Sequence, residues 1–355
     1  MNRAMLDVLA REYLVNYIGP INPKASTPQK IYSKARRMLG LGGDFFFFSE
    51  ERLEAIRRGV ETGLQASKAE FVIFHGFTPW IQTHPSLPYI AWSDCTFFQY
   101  VRIFHDAKVF RADDLKRIQE QEARWLQKAE RVIFRSAWAA SEAIHDYHLA
   151  KDRVGVVGNY GFLTPPSSDT YTGARDFLMI TTNFRQKGGP VVLEAFRLVR
   201  KENPGMRLIL IGDHPGKNVL QEPGVVYLGW IDKANRDQAD LLNQTIAGAM
   251  CIVHPTIADT NPMVLIEAGY FGCPAISTKR YAIPELVKNE VSGLLLDDPT
   301  DVSALVKAME TILQQNQKYL QMRKEARSHM LGYYTREAFQ HRLSLEIACV
   351  EEQLK

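Results

Sequence analysis

The sequence predicts an α/β protein made of two domains, each built on a parallel sheet. Short apolar runs at Phe71–Phe74, Tyr89–Trp92, Arg131–Phe134 and Arg153–Val157 alternate with helical stretches, notably Ala112–Glu130 and Ala137–Tyr147. Near-continuous apolar strands separated by helices are the pattern of a parallel sheet covered on both faces. A second series follows at Phe177–Thr181, Arg207–Ile211, Val225–Leu228, Ala249–Val253 and Ala275–Ser277. Between the two series lies 163–173, rich in Pro, Ser and Thr and without apolar periodicity, as a linker would be. A chain of 355 residues is long for one domain and comfortable for two.

Taken in order, residues 3–12 read as a short helix and Tyr13–Ile18 as a strand, before a loop over Gly19–Pro23 whose two prolines break any helix. Lys24–Arg37 is basic through Lys24, Lys30, Lys34, Arg36 and Arg37, with no acid until Asp44. Ile31, Met38 and Leu39 give it an apolar side. A charge run of this kind is most often a solvated face, but a basic amphipathic helix is also what attracts an anionic acceptor or a membrane surface. Four phenylalanines, Phe45–Phe48, are expected to plug into a core or cleft, and Glu50–Gln65 reads as a helix. The domain expectation is 1–165, then 174–335, with a last helix over 336–355 packing back on the first domain.

Composition narrows the function. The net charge of +3 does not argue for nucleic acid. Cys95, Cys251, Cys273 and Cys349 are scattered with no C-x-x-C pair, which suits a reducing cytosol and argues against a zinc site or disulfide scaffold. No apolar run approaches the ~18 residues of a membrane helix, and Asp7, Arg11 and Glu12 stand where a signal peptide would be apolar. A cytoplasmic protein is expected, with peripheral contact at the inner membrane face through Lys24–Arg37 as an option.

The chemistry concentrates in the second series. Asp259 and Glu267 are two carboxylates eight residues apart, and Glu267 falls inside a helical apolar pattern. A carboxylate buried there needs a partner: the two hydroxyls of a nucleotide ribose, or a Lys or Arg of the protein. Asp259 is either a ligand-binding group or a helix cap. Lys187 follows a strand and precedes the helical run Val191–Val199, so it is either a phosphate-binding cation or a solvated lysine. In the first series, His75 and Asp94 sit at carboxyl ends of strands. Asp94 either orients a ligand or caps the next segment.

These segments resemble the donor domain of retaining glycosyltransferases of the GT-B fold, family 4. Asp259–Glu267 looks like that family's E-x7-E region with Asp for the first Glu. Thr181–Gly188 stands where the family has "GRLxxxKG", Leu210–Pro215 resembles "IVGDGP" and Val226–Trp230 resembles "FLGF". Ile283–Val287 and Ser292–Leu295 match "IPEIV" and "TGLL". The first half matches less closely, through Ala129–Trp138 and Val156–Gly161. The resemblance implies two Rossmann-like domains facing each other across a cleft, and a first strand and Gly-rich loop that this chain lacks. It implies a nucleotide-sugar donor, UDP- or GDP-linked, with no cofactor and no metal, and a carbohydrate or lipid-linked acceptor. Lys187, with Arg185 in place of the usual Arg (Thr182 here), would meet the diphosphate together with the backbone amides of Asn261, Met263 and Val264. Glu267 would hold the ribose, Asp259 the sugar, and His75 and Asp94 would serve the acceptor. Ser93 stands where relatives have His. The alternatives are a catalytically silent binding protein of the same fold, an epimerase-like enzyme, or a dinucleotide oxidoreductase. The last is disfavoured because no strand leads into G-x-G-x-x-G.

Overall fold

The computed structural model describes residues 3–314 and 316–353. The chain divides into two compact units, Met1–Gly158 with Gln340–Lys355, and Asn159–Phe339.

The first unit holds α1 (Arg3–Leu9), α2 (Thr27–Met38), α3 (Glu50–Gln65), β1 (Val72–His75), β2 (Tyr89–Ser93), α4 (Phe97–Phe104), α5 (Ala112–Gln127), β3 (Arg131–Phe134), α6 (Ala137–Tyr147) and β4 (Val154–Val156). Its four strands are parallel in the order β1-β2-β3-β4, with Ile90 opposite Arg131 and His75 opposite Trp92. β2 is buried at every residue, whereas the edge strand β1 is only half-buried. The core packs Leu53, Ile56 and Val60 of α3 with Phe74, Ala91, Trp125 and Phe134. Phe45, the first residue of the four-phenylalanine run, joins that core, while Phe47 is exposed.

The expected strand over Tyr13–Ile18 does not form. The segment pairs with no strand among the described residues, and Leu14 is fully exposed. Apolar side chains supply a strand's faces but not its ladder, and this stretch does not reach the unpaired edge of β1 closely enough to bond it. The two instead line a cavity of about 720 Å³, together with Val60, Leu64 and Trp80.

The second unit holds β5 (Asp176–Thr181), α7 (Gly189–Glu202), β6 (Arg207–Gly212), α8 (Lys217–Leu220), β7 (Val225–Gly229), α9 (Arg236–Gly248), β8 (Cys251–Val253), α10 (Met263–Tyr270), β9 (Ala275–Thr278), α11 (Ile283–Leu286), β10 (Gly293–Leu296), α12 (Val302–Leu313) and α13 (Gln317–Tyr333). The last helix, α14, runs Arg336–Gln353. The strand β10 was visible in sequence only as a Gly-Leu-Leu signal, too short to carry a strand period. All six strands are parallel, in the order β10-β9-β8-β5-β6-β7.

Successive side chains along these strands feed opposite cores. Phe177, Met179, Leu208 and Leu210 pack on Val192, Phe196 and Met309 of α7 and α12. Leu178, Ile209, Ile211 and Ile252 face Ile246, Leu265, Ile266 and Met330. This is the two-residue period of a strand with both faces covered, and it explains why the runs read as continuously apolar. The chain leaves β5 towards β6 and β7, then returns to β8 on the other side of β5. The carboxyl ends of β5 and β8 therefore flank the point where the strand order reverses, which is where open α/β sheets bind ligands.

Candidate active site

Two loops meet at that reversal. The loop after β5 carries Lys187, and the loop after β8 carries His254 to Asn261. A backbone bond from Ile257 N to Gln186 O, 3.0 Å, ties them together. Gly188 permits this approach: its φ is +84°, and a Cβ on it would lie 2.3 Å from the Pro255 carbonyl oxygen. Any side chain would push the loops apart.

Through this contact Lys187 Nζ donates to Asp259 Oδ2 at 2.5 Å and to the Ala258 carbonyl at 2.8 Å. His254, buried at the end of β8, places Nε2 3.6 Å from the same Asp259 oxygen. Burial pushes the Asp259 carboxyl up, but His254 and Lys187 more than offset this and hold it below the usual carboxylate range. Asp259 is thus a carboxylate at neutral pH, hydrogen-bonded by Lys187 with the His254 ring close by.

Asp259 also bends the chain into α10 by accepting the Asn261 amide at 3.3 Å. The Asn261 N–H, expected to meet the donor, is thus engaged by Asp259 in this structure. Pro262 is the N-cap of α10, outside the first turn, so its missing N–H removes nothing from the amides of Met263 and Val264. Those two head an eight-residue helix whose positive end faces the Lys187 loop side of the sheet.

Four residues on, Glu267 is 1% exposed. Lys233, in the loop after β7, bonds both its oxygens at 2.6 and 2.7 Å, and the Phe162 amide donates to Oε1 at 3.0 Å. The protein itself therefore supplies the partner this carboxylate requires. Lys233 and His254 were missed in the sequence: neither stands in a distinctive spacing, and each is recruited by the fold. Arg185 is exposed in the Lys187 loop, and its side chain makes no hydrogen bond or ion pair among the described residues.

In the first unit His75 ends β1, and its Nε2 lies 3.0 Å from Arg135 Nη2. Arginine only donates, so the imidazole accepts there. Burial, then the Arg135 charge, lowers the His75 pKa to about 4, and the ring is neutral near pH 7. Asp94 follows β2, exposed, and accepts from Ser93 Oγ at 3.3 Å. It does not cap α4: Thr96 and Gln99 form a capping box there. Arg135 is a further residue that sequence reading did not single out.

With this geometry in view, the fold is GT-B, that of many nucleotide-sugar-dependent glycosyltransferases. Residues 164–329, the stretch holding Lys187, Asp259 and Glu267, match the family described as glycosyl transferases group 1. The chain is 28% identical over 152 residues to sulfoquinovosyl transferase SQD2 of Arabidopsis thaliana, covering 41% of this chain and 29% of that protein. It is 29% identical over 118 residues to D-inositol 3-phosphate glycosyltransferase of Segniliparus rotundus, covering 31% and 26%. The match thus spans less than a third of either relative. Among solved structures, sucrose-phosphate synthase from Thermosynechococcus elongatus superposes with a TM-score of 0.63 at 17% identity, covering 86% of this chain and 78% of that one. Anabaena HepE in complex with UDP does so with a TM-score of 0.63 at 16% identity, covering 83% and 82%.

Proposed function

We propose that the chain is a retaining glycosyltransferase whose second unit binds a nucleoside-diphosphate sugar. The observation that carries this reading is the meeting of Lys187, Asp259 and the start of α10 at the strand-order reversal, inside the stretch that matches the glycosyltransferase family. In this reading Lys187 and the Met263 and Val264 amides meet the negative charge that develops on the leaving diphosphate, without calling on a metal ion. Asp259 holds hydroxyls of the sugar. Glu267 holds the ribose, exchanging at least one Lys233 bond for a hydroxyl. The acceptor hydroxyl attacks the anomeric carbon from the leaving-group side. The bond from that carbon to the phosphate oxygen breaks, and the hydroxyl proton passes to the departing phosphate. His75 and Asp94 are assigned to a carbohydrate or lipid-linked acceptor. The four free cysteines fit a reducing compartment.

A second reading is a protein of this fold that holds nucleotide without transferring sugar. The observation in its favour is that both Glu267 oxygens are already engaged by Lys233. One experiment separates the two. Thermal-shift titrations with UDP, GDP and ADP are run on the wild type, Lys187→Ala and Glu267→Ala, followed by release of nucleoside diphosphate from the matching nucleotide-sugar. A shift with one nucleotide that both variants lose, with slow hydrolysis in the wild type, supports the enzyme. A shift without hydrolysis supports the silent protein, and no shift with any nucleotide overturns both.

A further inference from the structure

We infer that α2 and the turn after it form a docking surface for an anionic lipid bilayer. This does not depend on the donor-site reading.

The helix is amphipathic, but with its apolar stripe facing outward. Ser33 marks the inner side: it is buried and donates through Oγ to the Asp44 carbonyl at 2.8 Å. Opposite it, Ile31, Ala35 and Met38 fall at i, i+4 and i+7, on one side of the helix. Ile31 is 65% exposed and Met38 80%, and the following turn adds Leu39 at 74% and Leu41 at 57%. An ordinary surface helix turns such a stripe to the core. A contiguous outward stripe of large apolar residues marks an interaction site instead.

The turn is built to present these side chains. Arg36 Nε donates to the Gly42 carbonyl at 3.0 Å and its Nη2 to the Leu41 carbonyl at 3.1 Å. Arg37 lies over the Phe110 ring at 4.9 Å and reaches the Asp44 carbonyl. These two arginines hold the end of α2 and the turn in place. Lys24, Lys30 and Lys34 take no part in that bracing; they are exposed and make no ion pair among the described residues. Tyr32 and Phe47, each half-exposed, add aromatic edges beside the stripe, and Lys30 lies 5.8 Å from the Phe46 ring.

Charge decides the occupant. Tyr13–Gly43 contains five cations and no acid, and Asp44, which ends the run, is paired with Arg111. A second copy of this chain would bring two such stretches face to face, and like charges would oppose it. An anionic bilayer answers both properties at once: the apolar stripe enters the headgroup boundary while the lysines stay among the phosphates.

The test is co-sedimentation of the full chain with phosphatidylcholine vesicles, with and without 30% phosphatidylglycerol. Binding only to the anionic vesicles, weakened in 0.5 M salt, is expected. Lys24→Gln, Lys30→Gln and Lys34→Gln combined should cut partitioning roughly a hundredfold, about fivefold per lysine. Ile31→Ser with Met38→Ser should also abolish it at low salt. These positions are exposed, so unchanged circular-dichroism melts will show both variants folded. Absence of wild-type binding, or retention in both variants, overturns the proposal. So does a concentration-dependent dimer in sedimentation velocity that Ile31→Ser with Met38→Ser dissolves, since the stripe would then serve a second copy.

Discussion

Lys187 Nζ lies 2.5 Å from Asp259 Oδ2, although 72 residues separate the two. The pair joins the loops after β5 and β8, and each member has a distinct role in the proposed reaction. A diphosphate must draw the ammonium partly away from Asp259, so the two should be separable by what their loss does. Lys187→Ala is expected to abolish the nucleotide-induced rise in melting temperature and to lower kcat/KM roughly a hundredfold to a thousandfold, the scale for losing one preorganised charge donor. Asp259→Asn should leave nucleotide binding within a few-fold of wild type, since Lys187 is then free for phosphate, while transfer falls by a similar factor. Titration calorimetry with the nucleotide alone checks this. Equal loss of nucleotide affinity in both variants would show the pair to be a structural strut.

Lys233 and Glu267 form the second pair, with the carboxylate buried and the lysine half-exposed. Removing one partner of such a pair costs more than removing both, because a charge is left in an apolar surrounding. Lys233→Met should therefore destabilise the second unit by about 3 kcal/mol, the low end for a buried pair because Lys233 keeps contact with water. Lys233→Met with Glu267→Gln should recover most of that. Urea unfolding followed by Trp230 fluorescence reads this unit, because Trp80, Trp92, Trp125 and Trp138 all lie in the other. A double variant no more stable than Lys233→Met would show that the pair is not what couples them.

How far the sequence could be read follows from the range of each interaction. β2, β3 and β5 were legible because burial on both faces leaves unbroken apolar runs, a local signal. The Lys187 and Asp259 loops were legible because each lies between a strand-like and a helical run and resembles a motif of the family. The failure at Tyr13–Ile18 has the opposite cause: a strand exists only if another strand accepts its ladder, and nothing local in Tyr13 to Ile18 states whether one does. The same holds for the partners of the site. Glu267 was seen to need a counter-group, but Lys233 lies 34 residues away and His254 approaches Asp259 only because the loop folds over it. For Asp94 the sequence allows a cap or a ligand group, and only the capping box of Thr96 with Gln99 removes the first role.

His75 offers a test through acidity. Its pKa is lowered to about 4 by burial and by Arg135. Protonation therefore favours the unfolded chain, and His75 costs stability progressively as pH falls from about 6.5 towards 4. Between pH 5.5 and 8 the folded ring keeps one state. A pH–rate profile over that range should have the same shape in His75→Gln as in the wild type, whatever the change in absolute rate. An acidic limb near pH 6.5 that vanishes in His75→Gln would contradict the neutral assignment.

Glu122 gives the fold a second pH dependence, opposite in sign to that of His75. It is fully buried in α5 and accepts from Thr78 Oγ1 at 2.8 Å, the Phe97 amide at 2.7 Å and Tyr147 Oη at 2.8 Å, so it joins α4, α5, α6 and the turn after β1. Burial raises its pKa from an ordinary 4.5 to about 7, the three hydrogen bonds only partly opposing this. The folded state thus holds the proton more tightly than the unfolded chain. The stabilisation is complete below about pH 4.5 and is lost as pH rises to about 7, a change of about 3 kcal/mol at 1.36 kcal/mol per pKa unit. Glu122→Gln keeps the volume but cannot titrate. It loses one acceptor, so it should be less stable than wild type at pH 5 by about 1–2 kcal/mol. Its stability should then change less between pH 5 and pH 8, because only the wild type pays for ionising this site. Urea unfolding of both proteins at the two pH values, followed by the fluorescence of the first unit's four tryptophans, measures the difference in slope. Parallel slopes would mean that Glu122 stays ionised, its three donors outweighing its burial.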